Sequence, residues 1–183
     1  MITKMNKLAL AISVLVMAGG AMAQSAKTAS ADAGATVVAP LTIAKASAGD
    51  LNFGNVVAGA ALGTVVLVPA GTRTATGGTS FSGAFPGTLS AAKFDLTGES
   101  VYTYAITLPS DTDVTLNDTA TTPNTMAVTA FTVAAGAVGT VSGKIGTLVG
   151  GAGNLLVGAT LNVGAAQVPA TYTGAFNVTV AYN

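Results

Sequence analysis

Residues 175–183 read Ala-Phe-Asn-Val-Thr-Val-Ala-Tyr-Asn, alternating bulky apolar side chains with small or polar ones. Successive residues of a strand face opposite sides, so Phe176, Val178, Val180 and Tyr182 line one face and Asn177, Thr179 and Ala181 the other. Helical spacing would scatter the four apolar groups around the axis. A strand ending on this pattern has to dock its apolar face, which makes the segment part of a sheet rather than a tail.

The same period of two recurs upstream. Leu155, Val157, Ala159, Leu161 and Val163 alternate across residues 154–164 and are expected inward. Further strands are expected at 63–69, 92–97, 101–108, 113–117 and 126–134, with a weaker candidate at 144–149 and a short strand and turn at 51–57. Residues 72–78, which hold the only arginine, read as a turn. Gly, Pro, Asn and Asp interrupt the runs about every ten residues, the punctuation of an all-β antiparallel sandwich or barrel rather than of βαβ units. Strands of about six to nine residues suit a soluble fold. A membrane barrel would need longer strands and interfacial rows of aromatics, whereas aromatics are 5% of this chain and Trp is absent.

Val37, Ala39, Leu41 and Ile43 alternate in the same way near the other end of the organised sequence. Pro40 lacks an amide proton, which suits an edge strand or a strand added from outside. Ahead of it, residues 24–34 form a small-residue leader without periodicity. Lys4 and Lys7 precede an apolar run over residues 8–18, followed by Gly19-Gly20 and Ala21-Met22-Ala23. Basic start, apolar run and small-x-small site describe a signal peptide over residues 1–23; the run is too short to remain as a stable membrane span. A buried core helix is the alternative, and it leaves the basic start and cleavage-like site unexplained. The organisation expected is therefore a cleaved signal peptide (1–23), a flexible leader (24–34) and one β-domain (35–183) of an exported protein, with its final location in the periplasm, at the cell surface or outside a Gram-negative-type bacterium.

Composition narrows the chemistry. The chain has neither His nor Cys, which removes Ser-His and Cys-His catalysis and imidazole or thiolate metal sites, and leaves no disulfide to staple the fold. Beyond residue 23, Lys27, Lys45, Arg73, Lys93 and Lys144 face seven acidic residues, so no basic cluster exists for nucleic acid. Charged residues are 8% of the chain, against about a quarter in an ordinary soluble protein. So uncharged a surface is more natural in an assembled protein than in an isolated monomer. Asp95 and Glu99 are the candidate carboxylate pair for a sugar hydrolase, but solvated turn residues fit them as well. Asp111, Asp113, Asn117 and Asp118 could offer oxygen ligands to calcium, yet lack the glycine bend and terminal glutamate of an EF-hand and suit ordinary turns. No cofactor is expected. Arg73 could clamp a ligand carboxylate or sugar hydroxyl, tie loop carbonyls, or pair with Asp95 or Glu99. Tyr172, just before the last strand, resembles a corner tyrosine whose hydroxyl fastens a loop. Tyr102 and Tyr104 share a face and read as core.

Several motifs together carry a resemblance: Leu51-x-Phe53-Gly54, Gly63-Thr64-Val65, Pro69-x-Gly71-Thr72-Arg73-Thr74, Phe94-x-Leu96-x-Gly98-Glu99, Tyr104-x-Ile106-x-Leu108-Pro109, Val157-Gly158-Ala159-x-Leu161, and Gln167 through Tyr172-Thr173-Gly174 to Tyr182. In these the chain resembles a family of secreted bacterial domains, the domain of unknown function 4402 family, itself similar in style to spore coat U domains and chaperone-usher pilins. The resemblance implies an immunoglobulin-like β-sandwich and a surface or filament role, with strand addition between subunits as in pilins. It also brings homo-oligomer or filament partners, a periplasmic chaperone and an outer-membrane secretion partner into view. The chain departs from pilins in lacking a cysteine pair and in offering eight or more strands of its own. The expectation is a non-enzymatic, pilin-like or coat-like subunit joined through Val37, Ala39, Leu41, Ile43, Phe176, Val178, Val180 and Tyr182. The alternative is a carbohydrate- or ligand-binding adhesion module using loops near Arg73 and Tyr102.

Overall fold

The computed structural model describes residues 26–100 and 102–183. The expected signal peptide, residues 24–25 of the leader and Val101 lie outside the described residues. Residues 26–36 are exposed and carry no regular structure. The body from Val37 onward is all-β, with no helix among the described residues.

Thirteen strands follow in order: β1 Thr42–Lys45, β2 Asn52–Phe53, β3 Val57–Leu67, β4 Arg73–Ser80, β5 Leu89–Ser90, β6 Ala92–Thr97, β7 Thr103–Thr107, β8 Val114–Asn117, β9 Thr125–Ala135, β10 Thr140–Ser142, β11 Ile145–Thr147, β12 Ala152–Val163 and β13 Thr179–Tyr182. All pairings are antiparallel. A seven-stranded sheet is organised on β12, a four-stranded sheet runs β10-β11-β7-β13, and β2 pairs with β5.

β12 is central because its alternation is unbroken. Leu155, Val157, Ala159, Leu161 and Val163 are all buried, and the strand is long enough to take β6 and then β3 along one side while β9 occupies the other. Carrying two partners end to end makes the sheet curl. Val65 and Leu67 of β3, Val114 of β8, Val128 of β9 and the C-terminal half of β12 thereby meet in a first core cluster, with Phe53 above them. The N-terminal half of β12 faces the four-stranded sheet: Leu155 and Leu96 pack with Tyr104, Ile106 and Leu148 in a second cluster.

Two expectations are corrected. The segment 72–78 is not a turn but most of β4, seven of whose residues pair with β3. Its threonines favour a pleated surface, and Gly77 at φ 65 takes up the irregularity where the β3 register shifts between Ala58 and Gly63. The strand expected through Val37, Ala39, Leu41 and Ile43 begins only at Thr42. Pro40 has no donor to give a ladder, and the Ala39 carbonyl is taken by a side chain described below.

Candidate functional site

Of the residues singled out as assembly strands, Leu41, Ile43, Val178, Val180 and Tyr182 form a rim packed on one cluster and Ala39 is tied to Tyr182, while Phe176 packs on the other cluster and Val37 is exposed. Only Thr179–Tyr182 of the last segment is laddered, pairing Thr179 with Thr107 through to Tyr182 with Tyr104. The alternation nevertheless extends upstream: Phe176, Val178, Val180 and Tyr182 are half-buried, while Asn177, Thr179 and Ala181 are exposed. Phe176 meets Phe94 edge-on at 6.3 Å and Phe131 at 5.1 Å, roofing the first cluster. Val178, Val180 and Tyr182 pack on the second cluster together with Leu41 and Ile43.

Tyr182 fastens this rim. Its hydroxyl accepts from the Glu99 amide at 2.5 Å and donates to the Ala39 carbonyl at 3.0 Å, so one side chain of the four-stranded sheet holds both the chain entering β1 and the turn leaving β6. Tyr102 stands edge-on to Tyr182 at 5.7 Å and is exposed, whereas Tyr104 is buried; the shared core role expected for the two holds for Tyr104 alone. Ile43 belongs to β1, which pairs in cis with β6 through Ile43 and Leu96. Val37, at 96% exposure, and Ala39, also exposed, lie on a stretch with no ladder partner.

Arg73 is turned toward its own protein. The guanidinium donates to the carbonyls of Phe53, Asn55 (3.2 Å) and Pro86 (3.1 Å), and lies 3.9 Å above the Phe81 ring. It pins the loop after β2 to the loop before β5, a junction reinforced by Asn55, which donates to the Phe85 and Pro86 carbonyls. Lysine offers neither the planar fork nor the same stacking on a ring. Arg73→Lys is therefore expected to lower unfolding stability by about 1.5–3 kcal/mol, since a hydrogen bond from a charged group contributes about that much. Urea titration checks this; a midpoint equal to the parent's would refute the clamp.

The acidic residues are also committed locally. Asp95 accepts from the Asn154 amide at 2.6 Å, Glu99 accepts from the Ser100 amide, and Asp111 accepts from the Ala130 amide at 2.6 Å. The Ser110 hydrogen bonds hold Asp113 below the usual carboxylate range. Asn124, assisted by backbone amides, does the same for Asp118. Among the described residues no group of three or more acidic side chains is placed to hold a metal ion. The Tyr172 hydroxyl donates to the Val168 carbonyl at 2.7 Å and accepts from Gln167 at 2.8 Å, fastening the loop as a corner tyrosine does.

The described residues also form surface concavities. One of about 640 Å³ has Lys93, Asp95 and Asn154 among its lining, and one of about 590 Å³ has Thr64, Thr76 and Asn162; neither contains an aromatic platform. No helix among the described residues is long and apolar enough to cross a membrane.

A family model described as "Domain of unknown function (DUF4402)" matches residues 41–182, from the first core-facing residue of the N-terminal segment to the rim tyrosine. No curated protein and no solved structure matches the chain.

Proposed function

Because this chain belongs to the DUF4402 family, whose description names no activity, we propose its function from the geometry of the rim: a secreted, non-enzymatic structural subunit, pilin-like or coat-like, that assembles at the bacterial cell surface through its sheet edges. In this reading the two larger sheets are the layers of an immunoglobulin-like sandwich. Support for the layering comes from the second cluster, to which both sheets contribute side chains. A periplasmic chaperone and an outer-membrane secretion partner would keep such an edge from premature pairing.

One observation carries the proposal. β13 is the last strand of its sheet, and residues 175–183 contain no charge and no proline, the devices with which proteins ordinarily blunt an exposed edge. The carbohydrate-binding alternative draws less support, because three of the five Arg73 N–H donors are spent on carbonyls of its own protein and its face on Phe81. Light scattering on the purified protein at increasing concentration, with electron microscopy of cells that express or lack it, is the test. Multimers in solution and surface assemblies in the expressing cells alone are expected. A protein that stays monomeric under concentrated native conditions refutes the proposal.

A further inference from the structure

We infer that the occupant of the open β13 edge is the same edge of a second copy, paired antiparallel about a two-fold axis centred on Val180; this rests on the assembly reading above and specifies its contact. Asn183 donates to the Thr103 carbonyl, and the register pairs Thr179 with Thr107. In an antiparallel ladder this phase turns the backbone groups of Thr179, Ala181 and Asn183 toward β7, and those of Val178, Val180 and Tyr182 away from it. The outward groups repeat every second residue, so several antiparallel registers are self-complementary, and the one centred on Val180 is the one that pairs all three of Val178, Val180 and Tyr182. Val180 faces Val180 of the second copy, and Val178 faces its Tyr182. Each such pair exchanges two hydrogen bonds, and the four-stranded sheet continues into its copy.

The other edges are less open to pairing. β1 follows Pro40 and carries Lys45, bound to Asp50 at 2.5 Å. β4 is bent at Gly77, and the outer side of β8 is taken by the bridge from Asn117 to Thr173. β10 is three residues long and is followed by Lys144. β13 is itself only four residues long, but between Ala175 and Asn183 there is no proline and no charged side chain, and the exposed face between them carries only Asn177, Thr179 and Ala181, so the two-fold brings no charged side chains together. The N-terminal segment of a second copy is the weaker occupant. Its Ala39 carbonyl is already bound by Tyr182, Pro40 has no donor, and Leu41 and Ile43 are packed in their own core.

The register makes a specific demand: Thr179 stands directly across from Ala181 of the second copy, on the exposed face and in the closer kind of pair. The double variant Thr179→Lys with Ala181→Lys places four ammonium groups together. It is expected to weaken dimerisation at least tenfold in light scattering while the thermal midpoint of the monomer stays unchanged. Thr179→Lys with Ala181→Glu puts each lysine opposite a glutamate and is expected to restore the dimer, with a dependence on salt that the parent lacks. Dimers that persist in the Lys/Lys variant overturn this contact but leave assembly through another edge standing. Equal loss in the Lys/Lys and Lys/Glu variants overturns the two-fold register and points to a different segment, such as residues 35–39 of a second copy. A parent protein that is monomeric at every concentration overturns both this pairing and the assembly reading.

Discussion

Replacing Gly146 by alanine is expected to destabilise the protein by about 3 kcal/mol, the upper part of the range for overpacking a core. Gly146 of β11 lies opposite Tyr104 of β7, and the tyrosine ring folds across the place where a side chain would be. A Cβ there would collide with the hydroxyl end of the ring, closest to Cζ and Oη and with Cε2 at 2.6 Å. The ring cannot swing aside. It is 1% exposed and packed among Leu96, Leu148, Leu155 and Ile106, and its hydroxyl reaches the neighbourhood of Gly153 on β12. Either Tyr104 leaves its rotamer or β11 separates from β7. In a domain of this size that corresponds to a fall in Tm of about 10 °C. Gly83→Ala is the control: nothing lies within 4 Å of its added methyl, and a change under about 0.5 kcal/mol is expected there. Calorimetry showing equal effects for the two substitutions would refute the packing argument.

Tyr104 and Gly146 also show which kind of information a sequence carries. Alternation is local, so strands that alternate were legible without their partners: β6 has the expected bounds, and all five residues of β12 read as inward are buried. What alternation leaves open is whether a neighbour stands alongside. Residues 175–178 keep their facing but lack a ladder, whereas residues 37–40 lack a ladder and are all exposed, with Leu41 the first of that segment to turn inward. β4 was hidden for the opposite reason. Its run of Thr and Gly has turn composition, and only β3 beside it makes it a strand. β10, at three residues, is shorter than any periodicity test can register. Arg73 stood out as the lone arginine, yet its acceptors are the carbonyls of Phe53, Asn55 and Pro86, and backbone carbonyls leave no mark in a sequence. The Tyr172 corner was legible because donor and acceptor are four residues apart in one loop. The rim hydrogen bonds of Tyr182 join residues distant in the chain, and only the folded arrangement reveals them.

Leu155→Ala is expected to cost about 3–4 kcal/mol, a large share of the roughly 5–15 kcal/mol that holds a domain together. Leu155 has no exposed surface. It sits where β12 is paired on both sides, with Phe94 of β6 and Ala135 of β9, so the backbone cannot close over the missing atoms. Its neighbours above, Tyr104 and Ile106, are held by the ladders of β7 to β11 and β13. A residual cavity therefore adds to the lost transfer free energy. Leu62→Ala removes the same atoms from a site 72% exposed and is expected to change stability by less than about 0.5 kcal/mol. The second cluster also supports Val180 and Tyr182 from below, so the damage should reach the rim. In Leu155→Ala the amides of Thr179, Ala181 and Asn183, which face β7, should exchange with solvent faster than in the parent protein, while buried amides of β3 retain more of their relative protection. If the Leu155→Ala loss were no greater than that of Leu62→Ala, or if exchange at β13 were unaltered, the second cluster would not be what holds the β13 edge in place.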